Sequence, residues 1–406
     1  MASPNHESMN KKSKRPRKEH PITGALSRWL NELPDNIFTA SRTAKDELIK
    51  AFPKSYTIYP PMLLLPHTTF TTTPWKSLMP HLQPSHLTSL YTYLLLQFST
   101  THLAINAPIP LHIPLSIPNT PNTPNTLRSP TSLHPLSGAF GPPPSATYSP
   151  PTTFDFSSAL WVSSRQNGIY QTWAPLHTMF SRGNVSEKAR ILSLPSVARA
   201  VNEGRDRGKG SAAVDLYVGI GYFAFSYVKA GVRVVLGWEI SGWSVEGLRR
   251  GAEGNGWGCV VVKDGTGDAG GEVHWGKDTR LVVFQESNEF AMKTVRGMRE
   301  RLPPIRHVNC GLLPSAKGSW QTALEVLDPD MGGWLHSHQN IAIKEMDERA
   351  REILSEIQSL ADALFGTADK RHLVLEHVEQ VKTYAPGVMH CVLDILVPPK
   401  PLLMRS

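Results

Sequence analysis

Along the last 250 residues of the chain, apolar positions recur in short runs of two kinds. Strand-like runs occupy 214–218, 232–238, 258–263, 280–285, 305–311 and 332–336. Helical patterns fall at 222–230, 243–253, 288–301, 319–327 and 340–365. Strands alternating with helices predict a parallel sheet covered on both faces. Two further apolar segments, 373–381 and 387–397, have only a short turn between them and predict an antiparallel hairpin closing the sheet edge. The Gly-rich stretch from Asp264 to Asp278 reads as a surface loop inserted between the third strand and its continuation.

The preceding part of the chain is built differently. Residues 51–154 contain no Asp or Glu, and their basic residues are Lys54, Lys76 and Arg128. Of the chain's 34 prolines, 13 lie in 105–151, where Pro-Asn-Thr repeats three times from Pro118 to Thr126. Proline removes a backbone donor and fixes φ, so 105–150 is expected to be mostly disordered and not to pack as regular helix or sheet. Apolar segments at 62–65 and 90–96 predict a small ordered domain. The expected organisation is a basic, partly disordered tail and helix (1–50), a small N-terminal domain (51–104), a Pro/Thr/Ser-rich insertion (105–155) and a larger domain (156–406).

Chemistry concentrates where the first strand turns. Asp215-Leu-Tyr-Val-Gly219-Ile-Gly221-Tyr-Phe leads into a helix, and the next strand ends on Trp238-Glu239. Glycines let backbone approach a ligand, and a carboxylate at the second strand's tip can accept both ribose hydroxyls. Two ligands fit: a dinucleotide, through Gly219-x-Gly221-x-x-Ala224, and S-adenosylmethionine. Asp215 tilts the choice to the second, because a sulfonium and an ammonium favour nearby negative charge and a pyrophosphate does not.

Other junctions carry polar groups. Ser181, Arg182, Asn184, Lys188 and Arg190 precede the first sheet strand, where Lys188 or Arg182 could grip a carboxylate; a helix cap at Asn184 or Ser186 with an ordinary charged face is the plainer reading. Ser287 and Asn288 end a strand and suit an adenine edge or a helix cap. The fourth strand ends on Asn309-Cys-Gly-Leu-Leu-Pro314, at the place where amino methyltransferases of this fold carry Asn-Pro-Pro-Tyr, so Asn309 and Pro314 are the catalytic candidates. His336 and His338 lack a Cys or carboxylate partner in sequence and read as pocket or core histidines, with no metal expected.

Across its 406 residues the chain carries a net charge of +8, which favours a polyanionic partner. Three widely spaced cysteines make no disulfide framework, and no apolar run is long enough for a membrane span. Lys11 to Lys18 is a basic cluster suited to a nuclear address, a phosphate-binding arm or a solvated tail.

Several segments jointly resemble the tRNA wybutosine-synthesizing protein 2 family. They are Ser181-Arg-Gly-Asn-x-x-Glu-Lys188, the Asp215–Phe223 motif, Trp238-Glu-Ile, Ser244-Val-Glu-Gly-Leu-Arg-Arg250, Val308-Asn-x-Gly-Leu-Leu-Pro-Ser315 and Val381-Lys-Thr-Tyr-Ala-Pro-Gly-Val-Met-His390. The resemblance spans about 156–397. It implies an α/β class I methyltransferase-like Rossmann fold, closed by the C-terminal hairpin and joined to a smaller N-terminal region that contacts tRNA. It further implies a cytoplasmic enzyme, expected to be monomeric, that transfers the 3-amino-3-carboxypropyl group of S-adenosylmethionine to a ring carbon of the tricyclic base at position 37 of tRNA(Phe). Carried over, Ser181 and Lys188 contact the cofactor, Glu239 the ribose, and Ser287 and Asn288 the adenine, with Arg182, Asp215, Gly219 and Gly221 completing the expected site. Trp173, Phe180 and Tyr384 are candidates to stack on the extruded base, at least one of them being core instead. The alternatives are a guanine-N1 tRNA methyltransferase and a catalytically silent tRNA-binding subunit.

Overall fold

The computed structural model describes residues 19–109, 112–113, 123–125, 130, 132–144, 150–263, 276–366 and 369–401. The basic cluster at 11–18, most of the proline-rich repeat and most of the Gly-rich 264–278 stretch lie outside the described residues. The chain divides into two compact units, Met1–Ala107 with His134–Gly138, and Pro108–Leu133 with Ala139–Ser406.

The first unit contains α1 (Pro21–Glu32), α2 (Asp35–Ser41), α3 (Lys45–Ala51), β1 (Thr57–Tyr59), β2 (Met62–Leu65), α4 (Thr73–Leu78), α5 (Pro84–Phe98) and β3 (His102–Ile105). Proline in the first turn starts α1, α4 and α5, where its missing N–H costs nothing. One core runs from Ile22 on α1 to Leu103 on β3. At its centre Trp29 and Trp75 stack at 6.0 Å, and each indole N–H donates to a backbone carbonyl, of His86 and Leu48 respectively.

Short pairs β4 (His112–Ile113) and β5 (Thr123–Pro124) follow, then β6 (His134–Ser137). β6 pairs antiparallel with β3 and completes a sheet ordered β1-β2-β3-β6. This corrects the expectation that nothing in 105–150 packs as sheet. Pro135 is accommodated because β6 is an edge strand, where a missing donor breaks no second ladder.

The second unit continues with α6 (Thr153–Ser158), β7 (Val162–Gln166), β8 (Ile169–Trp173), α7 (Val185–Ser193), α8 (Pro195–Asp206), β9 (Ala212–Asp215), α9 (Ala224–Lys229), β10 (Val234–Trp238) and α10 (Gly242–Gly254). There follow β11 (Gly258–Lys263), β12 (Thr279–Gln285), α11 (Ala291–Met298), β13 (Ile305–Cys310), α12 (Trp320–Val326), β14 (Gly333–Ala342), α13 (Met346–Phe365), β15 (Val374–Ala385) and β16 (Val388–Val397). Eight strands form one sheet ordered β11-β12-β10-β9-β13-β14-β16-β15. It is parallel from β11 to β14, and β16 and β15 are antiparallel, as the hairpin reading expected.

Side chains alternate across this sheet, which explains its two cores. Ala212, Val214, Leu236 and Phe284 face α11, α12 and α13, while Ala213, Val235, Leu281 and Val283 face α9 and α10. Two details depart from the sequence reading. β12 is not a continuation of β11 but its parallel neighbour, inserted between β11 and β10. β14 runs to Ala342, past the expected helix start at 340, because β16 offers it an antiparallel partner along its whole length.

Candidate functional site

The carboxyl ends of β9, β10, β12 and β13 meet at one edge, where ligands bind in open α/β sheets. The turn after β9 is held by its two glycines. Gly219 has φ +54 and Gly221 φ +87, and a Cβ on Gly221 would come within 2.6 Å of the Phe225 ring. Side chains cannot replace them there without strain.

Glu239, just past β10, faces this turn. Its Oε2 accepts from the Gly219 N–H at 3.1 Å and its Oε1 from the Ser241 N–H at 2.8 Å. The desolvated carboxylate has a pKa raised above the usual range. Asp215 lies beneath, fully buried, and accepts at Oδ1 from Tyr217 N–H and from the Asn309 amide, at 3.2 and 3.3 Å. Burial pushes its carboxyl up to about 7 against the pull of the Tyr217, Asn309 and Ala224 donors, and Oδ2 lacks a well-aligned hydrogen bond. A buried acceptor left open in this way suits a cationic donor.

From the other side the 179–188 segment folds over the turn. Tyr222, inside the glycine motif, donates its hydroxyl to Met179 O at 2.6 Å and accepts from Ser181 N–H at 3.2 Å. Lys188 on α7 is 3% exposed and donates to Gln166 and Gln171. Its ammonium sits 5.1 and 5.5 Å from the Phe180 and Tyr222 ring centres. Desolvation, then the charge of Lys382, pushes its pKa down to about 7. Arg190 instead pairs with Glu187 and Asp394, so it braces the fold. Asn184 precedes α7 but makes no side-chain cap.

Ser287 caps the short turn after β12 by accepting from Glu289 N–H, and Asn288 donates to Leu216 O at 2.8 Å. The pairing of β12 with β10 brings these residues beside the Glu239 end of β10. Asn309 is 1% exposed, its amide spent on Asp215 and on His338 Nε2. Pro314 is exposed and its carbonyl accepts from Asn340 N–H. His336 is bound to Asp394 and His307, and His338 to His390, all buried. Among the described residues no His/Cys/Asp/Glu group could hold a metal. Trp173 is a core residue stacked on Phe180 at 4.2 Å, whereas Tyr384 is 45% exposed. The sequence reading missed Tyr222, although it lies within the glycine motif, and gave no role to Lys382 or His390, both within the last segment of the resemblance.

No family model matches the chain. It is 38% identical over 344 residues to tRNA wybutosine-synthesizing protein 2 of Schizosaccharomyces pombe, spanning 84% of this chain and 72% of that protein. The chain belongs to the tRNA wybutosine-synthesizing protein 2 family. The Saccharomyces cerevisiae protein of the same name is 29% identical, with 96% of this chain and 84% of that one covered. A family member is a transferase of tRNA wybutosine biosynthesis. Solved structures share the fold at low identity. A transferase from Pyrococcus horikoshii matches with TM-score 0.55 at 16% identity, over 94% of this chain and all of that one. P. horikoshii TYW2 in complex with MeSAdo matches with TM-score 0.54 at 16% identity, over 93% and 99%. No helix of the described residues is long and apolar enough to cross a membrane.

Proposed function

We propose that this site moves the 3-amino-3-carboxypropyl group of S-adenosylmethionine to a ring carbon of the tricyclic base 4-demethylwyosine at position 37 of tRNA(Phe). The enzyme is an S-adenosylmethionine-dependent transferase of tRNA wybutosine synthesis. The observation that carries the site assignment is the convergence of Ser181, Lys188 and Glu239 on one glycine turn, with the 179–188 segment pinned there by Tyr222.

The residues present fit the co-substrate. In this reading Glu239 accepts ribose hydroxyls, Ser287 and Asn288 border the adenine, and Oδ2 of Asp215, which lacks a well-aligned hydrogen bond, takes an ammonium donor. Ser181, Arg182 and Lys188 supply donors on the opposite side, and Asn309 and Pro314 close the fourth-strand junction. Bound S-adenosylmethionine supplies a sulfonium with three electrophilic carbons. When the base carbon bonds to the propyl Cγ, the C–S electron pair returns to sulfur, methylthioadenosine leaves neutral and the ring carbon's proton passes to solvent. The protein's share is orientation, a contribution of up to ~7–11 kcal/mol. Tyr384 is exposed enough to stack on an extruded base.

The reading includes the anticodon region of tRNA as partner, contacted also by the 51–104 region, whose lack of acidic residues suits a polyanion. It further takes the enzyme as a cytoplasmic monomer, in keeping with three free cysteines. The test is product analysis with S-adenosylmethionine and tRNA bearing the tricyclic precursor. Methylthioadenosine and an aminocarboxypropyl mass gain are expected. S-adenosylhomocysteine with a one-methyl gain would instead establish a guanine-N1 methyltransferase, and binding of both ligands without either product a silent subunit.

A further inference from the structure

A second lysine reaches the segment that covers the glycine turn, and it comes from the far end of the chain. Lys382 on β15 donates to Ser181 Oγ at 3.0 Å. Its stem lies across Gly183, where an added Cβ would stand 2.6 Å from Lys382 Cδ. On the hairpin Lys382 is the cross-strand partner of His390, which hydrogen-bonds His338 and through it reaches Asn309. Among the described residues no carboxylate pairs with Lys382 or Lys188.

Two partly or wholly buried amines, Lys382 on Ser181 and Lys188 within reach of its charge, therefore lie at the 179–188 segment without a carboxylate partner among the described residues. Desolvation lowers the pKa of both, and the charge of Lys382 lowers that of Lys188 further. Lys188 has already committed donors to two glutamine oxygens, whereas Lys382 donates to a neutral hydroxyl. An anion at Ser181 would offset this arrangement, and the open carboxylate oxygen of Asp215 offers a place for a cation. One anionic and one cationic pole are the features of an α-amino acid.

We propose that Lys382 and Ser181 together hold the α-carboxylate of the amino-acid arm of S-adenosylmethionine, and that this grip fixes which sulfonium carbon faces the base. The proposal rests on the function proposed above and deepens it. Its consequence is a division of labour: the glycine turn and Glu239 hold the nucleoside, and the C-terminal hairpin holds the arm that is transferred.

The experiment compares S-adenosylmethionine with methylthioadenosine, which keeps the nucleoside and lacks the arm, by calorimetry on the full chain. Lys382→Met is expected to weaken S-adenosylmethionine about 10- to 100-fold, the range for losing one charge-assisted hydrogen bond. Methylthioadenosine should bind it as it binds the unaltered chain, and Lys382→Arg should restore most of the loss. Gly183→Ala, which keeps the lysine but displaces its stem, should weaken S-adenosylmethionine selectively as well. With precursor tRNA, Lys382→Met should also raise the share of S-adenosylhomocysteine among the products. Equal weakening of both nucleosides would reduce Lys382 to a structural role. Unchanged S-adenosylmethionine affinity with weakened tRNA binding would make it a phosphate contact, and either result overturns the proposal. If the unaltered chain binds neither nucleoside, the functional reading itself has failed.

Discussion

At the scale of single residues, Glu239 and Asp394 show two opposite uses of a buried carboxylate. Glu239 accepts from two backbone N–H groups at the glycine turn and, in the proposed reading, from a ribose as well. Glu239→Ala is expected to weaken S-adenosylmethionine binding by roughly 10-fold or more, since each charge-assisted bond contributes about 1.5–3 kcal/mol. Binding of tRNA should change little, and parallel titrations of the two ligands check this. Asp394 has no such opening. It is held between Arg190 and His336, which keep its carboxyl well below the usual range. Asp394→Asn leaves Arg190 with Glu187 alone and should cost about 3 kcal/mol of stability, read from denaturant unfolding, while ligand contacts stay in place.

At the scale of elements, one hydroxyl ties the start of the 179–188 segment to the glycine turn. Tyr222→Phe removes both of its bonds to Met179 and Ser181. The core-facing ring remains, so the loss in global stability should be only about 1 kcal/mol, but amide hydrogen exchange over 179–188 should speed up and the KM for S-adenosylmethionine should rise. Strand order is the other lesson at this scale. Apolar runs reveal strands at 258–263 and 280–285, but in the sequence the second reads as a continuation of the first across the Gly-rich stretch. Pairing of Trp238 with Phe284 instead sets β12 next to β10 and brings Ser287 and Asn288 beside Glu239.

At the scale of the whole chain, buried histidines make stability depend on pH. His307 and His338 are held well below the ordinary value by desolvation, and His390 is pushed down to about 4. The unfolded chain binds protons at these sites near pH 6.5 and the folded chain does not, so their contribution is present above pH 6.5 and is lost as pH falls below it. For His390 alone this amounts to about 2 kcal/mol between pH 6.5 and 5. Melting temperature should therefore drop over that interval, and His390→Gln should flatten the slope. Binding of tRNA should weaken steeply with salt, given a net charge of +8, and deleting residues 1–20 should reduce the salt slope if the cluster at 11–18 meets phosphate.

Much of this was legible in the sequence because it is local. A strand, a glycine turn and a carboxylate at the next strand's end occur within 25 residues, from Asp215 to Glu239, and their geometry follows from backbone rules. The closing hairpin was legible for the same reason, since Pro386-Gly387 joins two apolar strands directly. What only the tertiary structure decided joins residues far apart in the chain. Lys382 meets Ser181 across 201 positions, Arg190 meets Asp394 across 204, and Asn309 links Asp215 to His338. No periodicity encodes such meetings. They depend on which strands lie side by side, and that order is set by how both faces of the sheet bury their apolar side chains.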